Sequence, residues 1–229
     1  MYDFKTYEYG EAVKGVVFIF GAWRISRLIY RQGIKKMNKV GYKCILYAPS
    51  NKLLAIGTPH AEIVNASQKA VDLVDAYINN DTATNAKYIT MGVSLGTAFA
   101  IRVAKECSAV SAVILLSPFG DYGEHMNLWI RHRYFGKVAQ SQPVSINESV
   151  NVLNKISTSS NLDQLRGKVV LISYGLNDRL IHTSVTEKFI ATLLKNDIEV
   201  ITRNTKGGHF VSMYKSSLWF QPNNLHFFE

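Results

Sequence analysis

Residues 86–105, AKYITMGVSLGTAFAIRVAK, restrict the possible folds more than any other stretch of the chain. Tyr88-Ile89-Thr90-Met91 has the β-branched and aromatic character of a buried strand, while Thr97, Ala98, Ala100 and Ala104 suit a helix packed closely against it. Between them stands Gly92-Val93-Ser94-Leu95-Gly96, a G-x-S-x-G pattern. A strand that turns into a helix within so few residues strains its backbone at the serine and lifts the hydroxyl above the sheet edge. The two glycines leave room where a Cβ would strike the neighbouring strand or helix. Unpaired N–H groups at the helix start, together with its dipole, converge on that hydroxyl.

Strand signals recur on both sides of this unit, over Phe4–Tyr9, Gly15–Phe20, Tyr42–Tyr47, Ala112–Leu116, Lys168–Gly175 and Glu199–Arg203. Helical periodicity runs over Arg24–Val40, His60–Asn80 and Thr183–Lys195. Such alternation implies an α/β architecture: a mostly parallel central sheet of about seven strands, covered on both faces by helices in right-handed crossovers. Residues 122–166 interrupt it with helical fragments, notably Glu124 to Phe135 with Met126, Trp129, Ile130 and Tyr134. An insertion above the carboxyl ends of parallel strands is where a short helical lid over a site would lie. At 229 residues and 47% hydrophobic, the chain has enough apolar material for one core, so residues 1–229 are expected to form a single domain with 122–166 as its lid.

The run Gly15 to Trp23 is too short to span a membrane and is closed by Arg24; the first residues lack the basic start and apolar centre of a signal peptide. A cytoplasmic protein is expected. Cys44 and Cys107 have no metal-ligand spacing and read as two free thiols. The net charge of +9 is unevenly placed: no acidic residue occurs between Ala12 and Ala61, and outside that window 17 basic residues balance 17 acidic ones. Arg24, Arg27, Arg31 and Lys35 form one stripe of the first helical segment, either a solvated outer face or a site for an anionic partner such as a carrier protein, coenzyme A or a membrane surface. No nucleic-acid-binding motif accompanies the charge, so nucleic acid is not expected.

A serine hydroxyl is a poor nucleophile at neutral pH and needs a base, which needs an orienting carboxylate. Both stand downstream, each after an apolar strand: Gly175-Leu176-Asn177-Asp178 and Gly207-Gly208-His209-Phe210, the latter read as a tight, solvent-reaching turn. Asp121, in Ser117-Pro118-Phe119-Gly120-Asp121 after the preceding strand, is the rival acid. His60, His125, His132, His182 and His226 read as surface or lid histidines.

With serine, aspartate and histidine in this order, each in a loop after a strand, the chain resembles the α/β-hydrolases, specifically the small serine esterase, lipase and thioesterase type, from Gly15 to Tyr214. The resemblance implies Ser94 as nucleophile, His209 as general base and then acid, and Asp178 as the residue that fixes the imidazole tautomer. It implies an oxyanion hole made by the backbone N–H of Leu95 and one from the turn after Phe20, with Ala22 preferred and Trp23 as the other possibility. Family members often carry His-Gly in that turn; here Phe20-Gly21 stands instead and keeps the glycine. Trp23, Phe119 and Trp129 are candidates for an apolar acyl pocket. The implied reaction is cleavage of a carboxylic ester or thioester through an acyl-serine, with no metal or organic cofactor. The same triad also serves acyltransferases, peptidases and amidases, and a catalytically silent binding protein is the non-enzyme alternative.

Overall fold

The apolar runs become seven strands of one sheet: β1 (Lys5–Tyr9), β2 (Gly15–Phe20), β3 (Tyr42–Ala48), β4 (Lys87–Val93), β5 (Val110–Leu116), β6 (Val169–Gly175) and β7 (Val200–Thr205). They are seen in a computed structural model that describes residues 4–82, 86–118, 120 and 130–217. The order across the sheet is β1-β3-β2-β4-β5-β6-β7, with β1 antiparallel to β3 and every other neighbouring pair parallel. The described helices are α1 (Arg31–Lys39), α2 (Ala61–Asn80), α3 (Gly96–Glu106), α4 (Phe135–Gln140), α5 (Ile146–Asn154), α6 (Thr183–Lys195) and α7 (His209–Ser217). Single 3-10 turns occupy Arg27–Tyr30 and Leu162–Leu165.

All six residues of β2 are buried, as a central strand covered on both faces requires. Their alternation feeds two cores. Val16, Phe18 and Phe20 pack into the layer that holds Ile63 of α2, Phe99 of α3 and Phe189 of α6; Val17 and Ile19 face Ile34 and Met37 of α1 and Met213 of α7. Parallel strands end on the same edge, so the segments after β2, β4, β6 and β7 emerge side by side.

Two helical expectations are corrected. The periodicity over Arg24–Val40 predicts one helix, but Arg24 is left-handed (φ 57°) and Ser26 accepts the N–H of Leu28 to start a 3-10 turn, so α1 begins only at Arg31. Arg24 therefore leaves the stripe that it shares with Arg27, Arg31 and Lys35 in the sequence. In the insertion, residues 130–134 are not helical; the Nδ1 of His132 accepts the N–H groups of Tyr134 and Phe135, and the helix starts where the expected one stops. Residues 121–129, with Met126 and Trp129, lie outside the described residues. Lys105 of α3 fastens the far end of the insertion by donating to the carbonyls of Ser157, Thr158 and Ser160, and burial lowers its pKa to about 8.

Cys44 and Cys107 are buried and unpaired; burial pushes the Cys44 thiol up to about 12 and raises that of Cys107 as well. His60, expected at the surface or in the lid, is only 4% exposed just before α2. Its Nδ1 finds no partner among the described residues, and burial lowers its pKa to about 4.

Two predictions follow from this packing. A Cβ on Gly96 would lie 2.0 Å from the carbonyl oxygen of Phe20, so Gly96→Ala is expected to destabilise the fold by roughly 1–3 kcal/mol or more, read as a lowered urea midpoint. The unfolded chain protonates His60 near its ordinary pKa, and the folded chain only near pH 4. Stability is therefore expected to decline as pH falls from about 6.5 to about 4, by as much as roughly 3 kcal/mol, and His60→Asn should flatten that part of the profile.

Candidate active site

Between β4 and α3, Ser94 takes a left-handed backbone (φ 51°), a conformation strained for an L side chain. Its environment holds it there. The Ser94 N–H donates to the carbonyl of Leu116 at 2.9 Å, and its own carbonyl accepts from the N–H (2.9 Å) and the hydroxyl (2.6 Å) of Thr97. A Cβ on Gly92 would meet Thr97 and the Gly96 carbonyl within 2.4–2.5 Å, which is why glycine flanks the serine on both sides.

Asp178, in the turn after β6, is buried; its Oδ1 accepts the N–H groups of Leu180 and Ile181, both at 2.9 Å. The other oxygen, Oδ2, lies 2.7 Å from His209 Nδ1. Opposite an ionised carboxylate Nδ1 carries the proton, which leaves Nε2 as an acceptor, 3.1 Å from Ser94 Oγ. His209 is the first residue of α7 and is 7% exposed, where the sequence predicts a solvent-reaching turn; its carbonyl accepts from Ser212 Oγ at 2.8 Å. Three segments far apart in the chain thus place serine, imidazole and carboxylate in one hydrogen-bonded line. Asp121 lies outside the described residues.

The N–H of Leu95, next to Ser94, has no partner among the described residues, as an oxyanion donor would need. The N–H preferred in the sequence as the second donor, that of Ala22, is engaged. The Ala22 N–H already donates to the hydroxyl of Tyr30 at 2.7 Å, and burial raises that phenol to about 12, so it stays neutral. This leaves the N–H of Trp23, the other possibility in the turn, without a partner among the described residues. A cavity of about 370 Å³ opens over the serine, with apolar walls from Trp23, Leu54, Tyr134, Phe135, Phe210 and Met213. Arg24 and His132 also line it. Phe119 and Trp129 lie outside the described residues. A separate groove, about 410 Å³, is lined by Arg27, Arg31 and Lys35 with Tyr9, Ile34 and Asn38. No three His, Cys, Asp or Glu side chains cluster as metal ligands would among the described residues.

No family model and no curated protein sequence matches the chain. Solved structures do. An acylaminoacyl peptidase of Pyrococcus horikoshii superposes with a TM-score of 0.72 at 12% identity, over 95% of this chain and 38% of that one. Est1E of Butyrivibrio proteoclasticus gives 0.67 at 14% identity, over 99% and 97%. A monoacylglycerol lipase of Paleococcus ferrophilus gives 0.60 at 14%, over 95% and 98%. The chain has the α/β-hydrolase fold. It spans just over a third of the peptidase chain and nearly all of the other two.

Within that fold, Tyr30 and His132 are the residues around the serine that sequence reasoning missed, while Arg24, expected on the basic stripe, lines the cavity instead. Tyr30 sits in an apolar position of a helical pattern and reads as core; only the turn folding back onto it reveals an acceptor. His132 carries a signal in its place three residues before the helix start at Phe135, but that start is not legible in the sequence. No described helix is long and apolar enough to cross a membrane. Tyr30→Phe removes the acceptor of a buried N–H and is expected to cost roughly 1–3 kcal/mol, measured as a fall in the urea midpoint, which Tyr30→His should not recover.

Proposed function

We propose that this chain is a serine hydrolase that cleaves a carboxylic ester or thioester through an acyl-Ser94 intermediate. The observation that carries the reading is His209, with Nε2 3.1 Å from Ser94 Oγ and Nδ1 2.7 Å from Asp178. In this mechanism Ser94 Oγ attacks the acyl carbon as His209 takes its proton. The carbonyl oxygen becomes an oxyanion facing the N–H groups of Leu95 and Trp23. Asp178, fixed by two backbone N–H groups, keeps the imidazole in the tautomer that can accept and stabilises the imidazolium that forms. His209 then protonates the departing alcohol or thiol, and water, activated by the same nitrogen, releases the acid.

The cavity volume, near the lower end for ligand sites, supports a short or medium acyl group held by Trp23 and Phe135. In this reading residues 122–166 act as the lid of a single domain, since Tyr134 and Phe135 form part of the cavity wall and the Tyr134 hydroxyl donates to the Leu54 carbonyl. The structural neighbours, an acylaminoacyl peptidase and a monoacylglycerol lipase among them, support a hydrolase. The acylaminoacyl peptidase keeps an amide bond as the second reading. The two unpaired buried thiols support a cytoplasmic setting, and Arg27, Arg31 and Lys35, which pair with no carboxylate among the described residues, support an anionic partner at their groove.

The test is reaction with a fluorophosphonate, read by intact mass. One adduct is expected on the wild type and none on Ser94→Ala, and Asp178→Asn should lower kcat on nitrophenyl esters by roughly 10³–10⁴-fold. A folded wild type that takes no adduct would overturn the proposal in favour of a binding protein.

A further inference from the structure

Arg24 stands where an apolar cavity has no need of a cation. Its backbone is left-handed at φ 57°, a region that favours glycine, yet the residue is arginine. The guanidinium lies 4.3 Å above the Trp23 ring and 5.7 Å from the centre of the Tyr134 ring, so two aromatic walls of the cavity flank a residue that is itself exposed. Among the described residues no carboxylate pairs with it. The chain has no acidic residue from Ala12 to Ala61, and the carboxylate of the site, Asp178, is engaged at both oxygens, by Leu180 and Ile181 on one and His209 on the other. The planar guanidinium can rest one face on Trp23 while its edge offers a fork of N–H donors, the geometry that takes a carboxylate or phosphate through two parallel hydrogen bonds.

We propose that Arg24 reads an anionic group on the substrate, so that the preferred substrate is an ester or thioester with an apolar acyl segment in the cavity and a carboxylate or phosphate held at its mouth. This rests on the serine hydrolase reading above and narrows it to a substrate class. Arg27, Arg31 and Lys35 line a different groove and do not line this cavity. Their charge attracts anions to this side of the molecule, but the selection is made by Arg24.

The experiment compares three nitrophenyl esters of matched length: the neutral pentanoate, the half-ester of glutarate, and an ester whose acyl chain ends in a phosphonate. The wild type should favour at least one anionic ester over the neutral one by roughly tenfold in kcat/KM, mainly through KM. The better of the two distinguishes a carboxylate from a phosphate as the natural group. Arg24→Gly suits the left-handed backbone and should keep the fold while bringing the ratio to about one; Arg24→Lys, a cation without the fork, should restore part of it. Arg27→Glu with Arg31→Glu should leave most of the preference in place.

A wild type that labels with fluorophosphonate but shows no preference would overturn the assignment of Arg24 alone. So would an Arg24→Gly variant that loses activity on all three esters equally, because that would make the residue a packing element of the aromatic wall. A preference that disappears with the Arg27 and Arg31 charges would assign selection to the outer groove instead. A wild type that neither labels nor turns over any ester would remove the hydrolase reading, and this inference with it.

Discussion

The close approach of α3 to the end of β2 is the constraint on which the rest of this molecule depends. Gly96 sits so near the carbonyls of Phe20 and Gly21 that no side chain fits between them. The contact brings the left-handed Ser94 and the N–H of Leu95 against the turn that carries Ala22, Trp23 and Arg24. One missing methyl group therefore lets the backbones of two segments meet where their side chains already pack, Phe20 against Phe99. Every other part of the site is built outward from that contact.

Second in rank is the set of ties that keep the surrounding loops in register. Tyr30 holds the turn after β2 from one side through the Ala22 N–H, and Asp178 holds its own turn through Leu180 and Ile181 before it reaches His209. Lys105, on the same helix that begins at the nucleophile turn, grips three carbonyls of the 122–166 segment. These ties are mostly hydrogen bonds from or to main-chain groups, which fix direction better than apolar contact does. Apolar packing supplies the two cores, and polar contacts aim the loops that rise above them.

What could be read in the sequence follows the range of the interaction that decides it. Strands such as Gly15–Phe20 and Val169–Gly175 are legible because burial on both faces writes a continuous apolar run. Ser94, Asp178 and His209 stand out because each has a local signature, a glycine-bounded turn after a strand, and the structure draws all three to one sheet edge. The Ala22 N–H is taken up by Tyr30, eight residues away, and no local signal announces that bond. Arg24 fits a helical stripe by spacing and leaves it by a single dihedral angle. α7 was missed because its outer face exposes Phe210, Val211 and Tyr214, which blurs the polar side of the pattern. His60 reads as polar and lies buried because the insertion folds over it: its N–H donates to Gln142, 82 residues away.

The burial of both thiols has a practical consequence. Cys44 lies inside β3 and Cys107 at the end of α3, each out of contact with solvent and each with its thiolate disfavoured. Alkylating reagents need a thiolate they can reach, and here neither condition is met. The native chain is thus a silent background for thiol chemistry, and a single cysteine introduced on the exposed side of the 130–166 segment would carry a spectroscopic label at one known point above the site.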